Sequence, residues 1–254
     1  MKRDAQEHAG ATRRGLLKLG VLLALVSGSA GVSALLRRRN ATALDSFEPV
    51  PDAPGFLRSA SAQVTRGNPV LLGLETEPGP GPLSTGLCDA LFRADRRPDQ
   101  TAIAYFTDAR CAICRVMSPL MTELDARPDI AMRWHELPLL GPMSEQAARA
   151  ALAAGQQDAY AFFQKRLAET PVLATPEFLR DLSRQAGIDA ERLLQDMHGP
   201  AVDRQLRDTA SLARRFGFLG TPALVVGSVA VLGRVDRAGM DRLIQLARSR
   251  PAAC

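Results

Sequence analysis

The segment Cys111-Ala112-Ile113-Cys114 holds the residues of this chain best suited to chemistry. Two thiols at positions i and i+3 lie one helical turn apart, close enough to join in a disulfide. A cysteine at the start of a helix also meets unpaired N–H groups and the positive end of the helix dipole, which favour its thiolate. That chemistry needs a helix beginning at the dithiol, and the neighbouring residues provide one. Ala102-Ile103-Ala104-Tyr105-Phe106 is an apolar run suited to a buried strand, Asp108-Ala109-Arg110 turns the chain, and Met117, Leu120, Met121 and Leu124 recur at helical spacing. Cys111 is then the expected nucleophile and Cys114 the resolving thiol. The same spacing serves zinc, but Cys88, Cys254, His8, His135 and His198 form no second pair at ligand spacing, so no metal is expected. A purely structural bridge here would close too small a loop to restrain the unfolded chain much. Met117 and Met121 read as core residues, with thioether binding of copper as the alternative.

A second strand is expected at Ile130–Leu137, where Ile130, Met132 and Trp134 alternate. About five helical segments follow: Ser144–Gln157, Asp158–Glu169, Thr175–Gly187, Asp189–His198 and Ala201–Arg215. Pro222–Leu232 reads as a hairpin about Gly227-Ser228, and Asp236–Arg248 as a closing amphipathic helix. Upstream, residues 44–99 are rich in Pro and Gly, with a strand candidate at Val70–Leu74 and a short helix at Leu83–Arg93 containing Cys88. Cys88 and Cys254 either pair as a structural bridge or remain a helix thiol and a terminal thiol; the sequence alone leaves both open.

The formal net charge of +5 is not a property of this body. Residues 1–43 carry eight basic and two acidic side chains, leaving 24 basic against 25 acidic in the remaining 211 residues. A near-neutral body in a chain that is 46% hydrophobic excludes a basic nucleic-acid module and a disordered chain. The basic leader has targeting architecture. Thr12-Arg13-Arg14-Gly15-Leu16-Leu17-Lys18, ahead of the uncharged stretch Leu19–Leu36, resembles a twin-arginine export signal, with Leu16 where that pattern most often has Phe. Ala41-Thr42-Ala43 offers a cleavage site, giving a mature start near Leu44; an uncleaved signal anchor is the alternative. Either version implies a periplasmic body in an oxidising compartment.

Three motifs resemble the DsbA family of thiol–disulfide oxidoreductases within the thioredoxin-like superfamily. They are Ala104–Cys114 around the dithiol, Trp134-His135-Glu136-Leu137-Pro138-Leu139-Leu140-Gly141-Pro142 with the Ala-rich helix after it, and Phe216-Gly217-Phe218-Leu219-Gly220-Thr221-Pro222-Ala223-Leu224-Val225-Val226. The resemblance implies an α/β, thioredoxin-like fold with an inserted helical subdomain. On this reading residues 1–43 are the export signal or anchor and 44–99 an N-terminal extension. Residues 100–143 and 217–254 form the thioredoxin-like domain, and 144–216 the helical insertion. The resemblance also implies that Thr221-Pro222 is a cis-proline element whose backbone pairs with an extended substrate peptide. Without it, Pro222 would simply begin a strand.

The activity implied is disulfide exchange with exported protein substrates through Cys111 and Cys114. It needs no cofactor beyond the dithiol, and a membrane redox partner resets it. The competing reading is a periplasmic copper-binding protein using the same cysteines. Glu136 is a candidate proton carrier for Cys114, against a solvated strand-end charge. Asp108 reads as a turn or cap residue, against an electrostatic influence on Cys111. The dipeptide Ala112-Ile113 departs from the family by lacking His, Pro or Gly; Arg110 and Arg115 flank it as partial substitutes. The direction of electron flow is therefore open.

Overall fold

The computed structural model describes residues 46–59, 65–66, 81–170 and 174–254; the leader and the Val70–Leu74 strand candidate lie outside them. In chain order the strands are β1 (Phe47–Pro49), β2 (Leu57–Ser59), β3 (Thr65–Arg66), β4 (Thr101–Thr107), β5 (Ile130–Glu136), β6 (Gly220–Thr221), β7 (Ala223–Val226) and β8 (Val229–Leu232). The helices are α1 (Leu87–Leu91), α2 (Ala112–Asp125), α3 (Pro142–Gly155), α4 (Tyr160–Glu169), α5 (Pro176–Ala186), α6 (Ala190–Asp196), α7 (Pro200–Phe216) and α8 (Arg237–Ser249).

Strand β4 is apolar on both faces because both are covered. It pairs in parallel with β5 and antiparallel with β7, in a sheet of order β1-β2-β8-β7-β4-β5. The alternation of side chains divides two cores. Ile103 and Tyr105 on β4, Leu224 and Val226 on β7, and Val229 and Val231 on β8 face Met117 and Met121 of α2 and Met240 and Leu243 of α8. Ala104 and Phe106, Ala223 and Val225, and Ala230 and Leu232 face the other way, toward Leu91 of α1 and Leu212 and Phe216 of α7. The parallel pair β4–β5 requires a crossover, which α2 supplies. The dithiol at the start of α2 therefore sits at the end of the central strand.

The expected helical block is the run α3 to α7, within a few residues of each anticipated segment. Its ends follow local chemistry. Thr175 and Asp189 cap α5 and α6 by accepting backbone N–H groups, and Gly187 and Gly217 end α5 and α7 in the left-handed conformation. The block has its own core, in which Ala150, Ala153 and Ala154 of α3 let Phe163 of α4 and Leu179 of α5 approach closely. The hairpin β7–β8 turns at Gly227-Ser228. Gly227 has φ +56, and a Cβ there would lie 2.8 Å from that of Ala247.

The N-terminal extension adds β1 and β2, which the sequence did not reveal, because three-residue strands carry no period to read. Strand β2 pairs in parallel with β8, and β1 forms the outer edge. The short helix expected over Leu83–Arg93 spans only Leu87–Leu91. Cys88 within it is bonded to Cys254, with Cα atoms 5.6 Å apart and a sequence separation of 166. Arg96 donates to the Cys254 carbonyl at 2.9 Å, holding the same terminus. Closing so long a loop removes entropy from the unfolded chain worth up to about 5 kcal/mol. Replacing both Cys88 and Cys254 with Ser should lower unfolding free energy by about 2–5 kcal/mol. Urea denaturation of the wild type and the double variant checks this; equal midpoints would show that the bridge adds nothing.

Candidate active site

Cys111 is the N-cap of α2, with extended backbone (φ −71°, ψ 114°). Its Sγ accepts the Cys114 N–H at 3.0 Å, satisfying one of the N–H groups that every helix start leaves unpaired. The same sulfur lies 3.5 Å from the Thr221 carbonyl oxygen, and the Thr221–Pro222 peptide bond is cis. Cys111 and Cys114 are bonded to one another, with Cα atoms 5.2 Å apart. The four residues singled out in the sequence, Cys111, Cys114, Thr221 and Pro222, are thus brought together although more than a hundred positions separate the two pairs.

The dithiol loop is held by Asp108, 1% exposed. Its carboxylate accepts from the Arg110 N–H at 2.8 Å, the Ser144 hydroxyl at 2.7 Å, and the Leu139 and Leu140 N–H groups at 2.9 and 3.3 Å. Its carbonyl accepts the Cys111 N–H at 3.0 Å. Asp108 therefore joins three pieces of chain: the loop ahead of α2, the loop after β5 and the first turn of α3. Its four bonds to the carboxylate exceed the turn or cap role read from the sequence. Arg115 donates through Nε to the Ala109 carbonyl at 3.2 Å, which keeps its guanidinium beside the same loop.

Glu136 ends β5 in register with Thr107 of β4 and is 2% exposed, so the solvated-charge reading does not hold. Burial pushes its carboxyl up to about 8; a hydrogen bond from the Tyr160 hydroxyl at 2.7 Å opposes the rise, and the Asp108 charge adds to it. Trp134 completes the surroundings, packing edge-on against Tyr105 at 5.0 Å and tilted against Tyr160 at 6.3 Å. Tyr160 was not anticipated: it lies on α4 of the insertion, with no motif around it. No signal in the sequence marks it, because its bond to Glu136 joins a helix of the insertion to the end of β5.

The other candidate ligands take structural places. His135 stacks on Phe106 and shares its buried pocket with Leu91, whose carbonyl lies 2.9 Å from Nε2. A carbonyl can only accept, so Nε2 carries the proton; burial holds this imidazole neutral, with its pKa lowered to about 3. Met117 and Met121 lie in the core beneath the sheet. Among the described residues no three His, Cys, Asp or Glu side chains cluster as a metal site.

A thioredoxin-like sheet with a dithiol capping its first long helix, opposite a cis-proline loop, defines a class: the thiol–disulfide oxidoreductases. Residues 102–245 match the DSBA-like thioredoxin domain, and the chain belongs to that family. It is similar to the solved structure of a thioredoxin-like oxidoreductase from Silicibacter pomeroyi DSS-3. The identity is 32% and the TM-score 0.59, over 65% of this chain and all of that one. The thiol-disulfide exchange protein α-DsbA2 from Wolbachia pipientis shares the fold at 21% identity and TM-score 0.56, over 62% of this chain and 90% of that one. So does a periplasmic thioredoxin-like protein from Salmonella enterica serovar Typhimurium, at 22% identity and TM-score 0.51, over 63% and 95%. No curated protein matches the chain.

Glu136 and His135 move stability with pH in opposite directions. Glu136 keeps its proton in the folded state up to about 8, above its ordinary 4.5, so its stabilisation is complete below about 4.5 and is lost as pH rises through 8. His135 stays neutral when folded, so its share is complete above about 6.5 and is lost as pH falls toward 3. Of these two groups, Glu136 is the one that contributes a slope between pH 6.5 and 8. Denaturant midpoints of the wild type should fall across that window, and Glu136→Gln, neutral throughout, should remove the fall. An unchanged slope in the variant would show that Glu136 is already ionised when folded.

Proposed function

We propose that this protein is an exported thiol–disulfide oxidoreductase that exchanges disulfides with other protein chains through Cys111 and Cys114. The observation carrying this reading is the Cys111 sulfur, which caps α2 while lying 3.5 Å from the Thr221 carbonyl. In the oxidising direction a client thiolate attacks Cys111 Sγ. The Cys111–Cys114 bond breaks, and Cys114 leaves as a thiolate and takes up a proton. A second client thiolate then attacks the client sulfur of the mixed disulfide and expels Cys111 as a thiolate. The client gains a disulfide, and the protein takes up two electrons. The reverse sequence reduces a client, and a membrane redox partner would reset the dithiol in either case.

Each residue has a distinct part in that scheme. The helix N-terminus favours Cys111 as attacking and leaving thiolate. Glu136, with its affinity for a proton raised to about 8, is suited to give a proton to Cys114 in the oxidising direction and recover it in the other. Thr221 and Pro222 offer backbone beside the sulfur against which an extended client can lie. Val116, 62% exposed on α2, and Leu219, 59% exposed beside the Thr221–Pro222 loop, give client chains apolar surface near the dithiol. Export rests on the resemblance of the leader to a twin-arginine signal. The copper reading is weakened by the burial of Met117 and Met121 in the core.

The reading is tested by replacing Cys114 with Ala in the exporting host. Mixed disulfides with host proteins should accumulate on non-reducing gels and disappear when Cys111 is also replaced. Absence of adducts, together with stoichiometric Cu(I) binding that protects both thiols, would establish the copper protein instead.

A further inference from the structure

The edge of backbone that a client would use is already taken. Strand β6, Gly220–Thr221, pairs antiparallel with β3, in the register Thr65 opposite Thr221 and Arg66 opposite Gly220. This two-stranded ladder is separate from the main sheet. Its position matters because Thr221 immediately precedes Pro222 and its carbonyl lies 3.5 Å from Cys111 Sγ. Neighbouring strands sit about 5 Å apart, so a given stretch of edge accepts one strand at a time. A second observation agrees. Cys111 is 0% exposed although Ala112, next to it, is open to solvent. In-line attack on its sulfur by a protein thiol requires something at this site to move.

We infer that Thr65–Arg66 is an internal strand occupying the client-binding edge of Gly220–Thr221, so that a client peptide binds by strand exchange with this chain's own N-terminal extension. The inference rests on the proposed exchange activity and deepens it. A ladder of two residues is short enough to yield, since isolated two-stranded pairings are marginal in water. It is also tethered: β2 ends at Ser59, bound to β8, only six positions before Thr65. The tether keeps the internal strand at high effective concentration, and a client must overcome it. The partner that does so is an extended, unfolded segment able to supply its own backbone hydrogen bonds. A folded surface or a small thiol gains nothing from the exchange. The device therefore discriminates by conformation: unfolded chains can open the site, while compact proteins cannot.

The test uses the full exported chain with Thr65→Pro and, separately, Arg66→Pro. Proline removes one backbone donor at each position, so whichever residue donates to β6 is covered. Two reactions are followed with the oxidised protein: reduction by a short unstructured dicysteine peptide, and reduction by dithiothreitol, which needs no strand. At least one variant should show KM for the peptide lowered about 3- to 10-fold with kcat unchanged, a larger factor than any rise in the dithiothreitol rate, which reports only the uncovering of Cys111. Peptide kinetics equal to wild type in both variants would overturn the inference. No reaction with either reductant would instead overturn the exchange reading. A second measurement needs no substitution in β3. With the peptide trapped as a mixed disulfide on Cys111 in the Cys114→Ala protein, amide hydrogen exchange should speed up at Thr65–Arg66 while Gly220–Thr221 stays protected. Unchanged protection at Thr65–Arg66 in that complex would also overturn the inference.

Discussion

One hydrogen bond, from the Cys114 N–H to the Cys111 sulfur, sets where α2 begins and what the sulfur experiences. A helix start leaves N–H groups without partners, and a cysteine placed there answers that need with its sulfur. The interaction strengthens as the sulfur becomes negative, because the thiolate is the better acceptor and faces the positive end of the helix. The rest of the architecture serves to keep this position. Strand β4 delivers the chain to it, Met117 and Met121 bury the following turns under the sheet, and Asp108 fastens the preceding loop to both the loop after β5 and α3.

The insertion is not an independent appendage in this respect. Its helix α3 supplies Ser144 to Asp108, and α4 supplies Tyr160 to Glu136. Two buried carboxylates near the dithiol loop are thus both tied to the helical block, in different ways. Asp108 has four donors aimed at its carboxylate. Glu136 has the Tyr160 hydroxyl, and burial outweighs it. One hydroxyl does not replace the water that the buried Glu136 carboxylate loses, so its proton is held more tightly. Asp108 holds the loop, and the Glu136 carboxyl keeps its proton up to about 8.

Much of this was legible in the residues. The apolar run Ala102–Phe106 ahead of Cys111 located β4 and the start of α2, and Thr221-Pro222 became legible through its resemblance to a family motif. Helix ends were readable where Thr175, Asp189, Asp236 and Gly187 put a cap in place. Other features depend on contacts between distant positions and leave no local period. Strands β1, β2 and β3 are two or three residues long: β2 and β3 pair the edges of β8 and β6, and β1 pairs β2. The Cys88–Cys254 bond was one of two open readings, decided by Cα atoms 5.6 Å apart. The link from Tyr160 to Glu136 crosses from one helix of the insertion to the end of β5, a proximity that spacing along the chain cannot express.

Exchange by this scheme requires Cys111 to be the thiolate of the pair. The most direct measurement is an ultraviolet titration of thiolate absorbance in the reduced protein, with Cys111→Ser as the difference reference. A thiolate should appear with a midpoint clearly below the ordinary cysteine value of about 8.5 and be absent from the reference protein. A midpoint at or above that value, or an acidic midpoint that persists without Cys111, would contradict it.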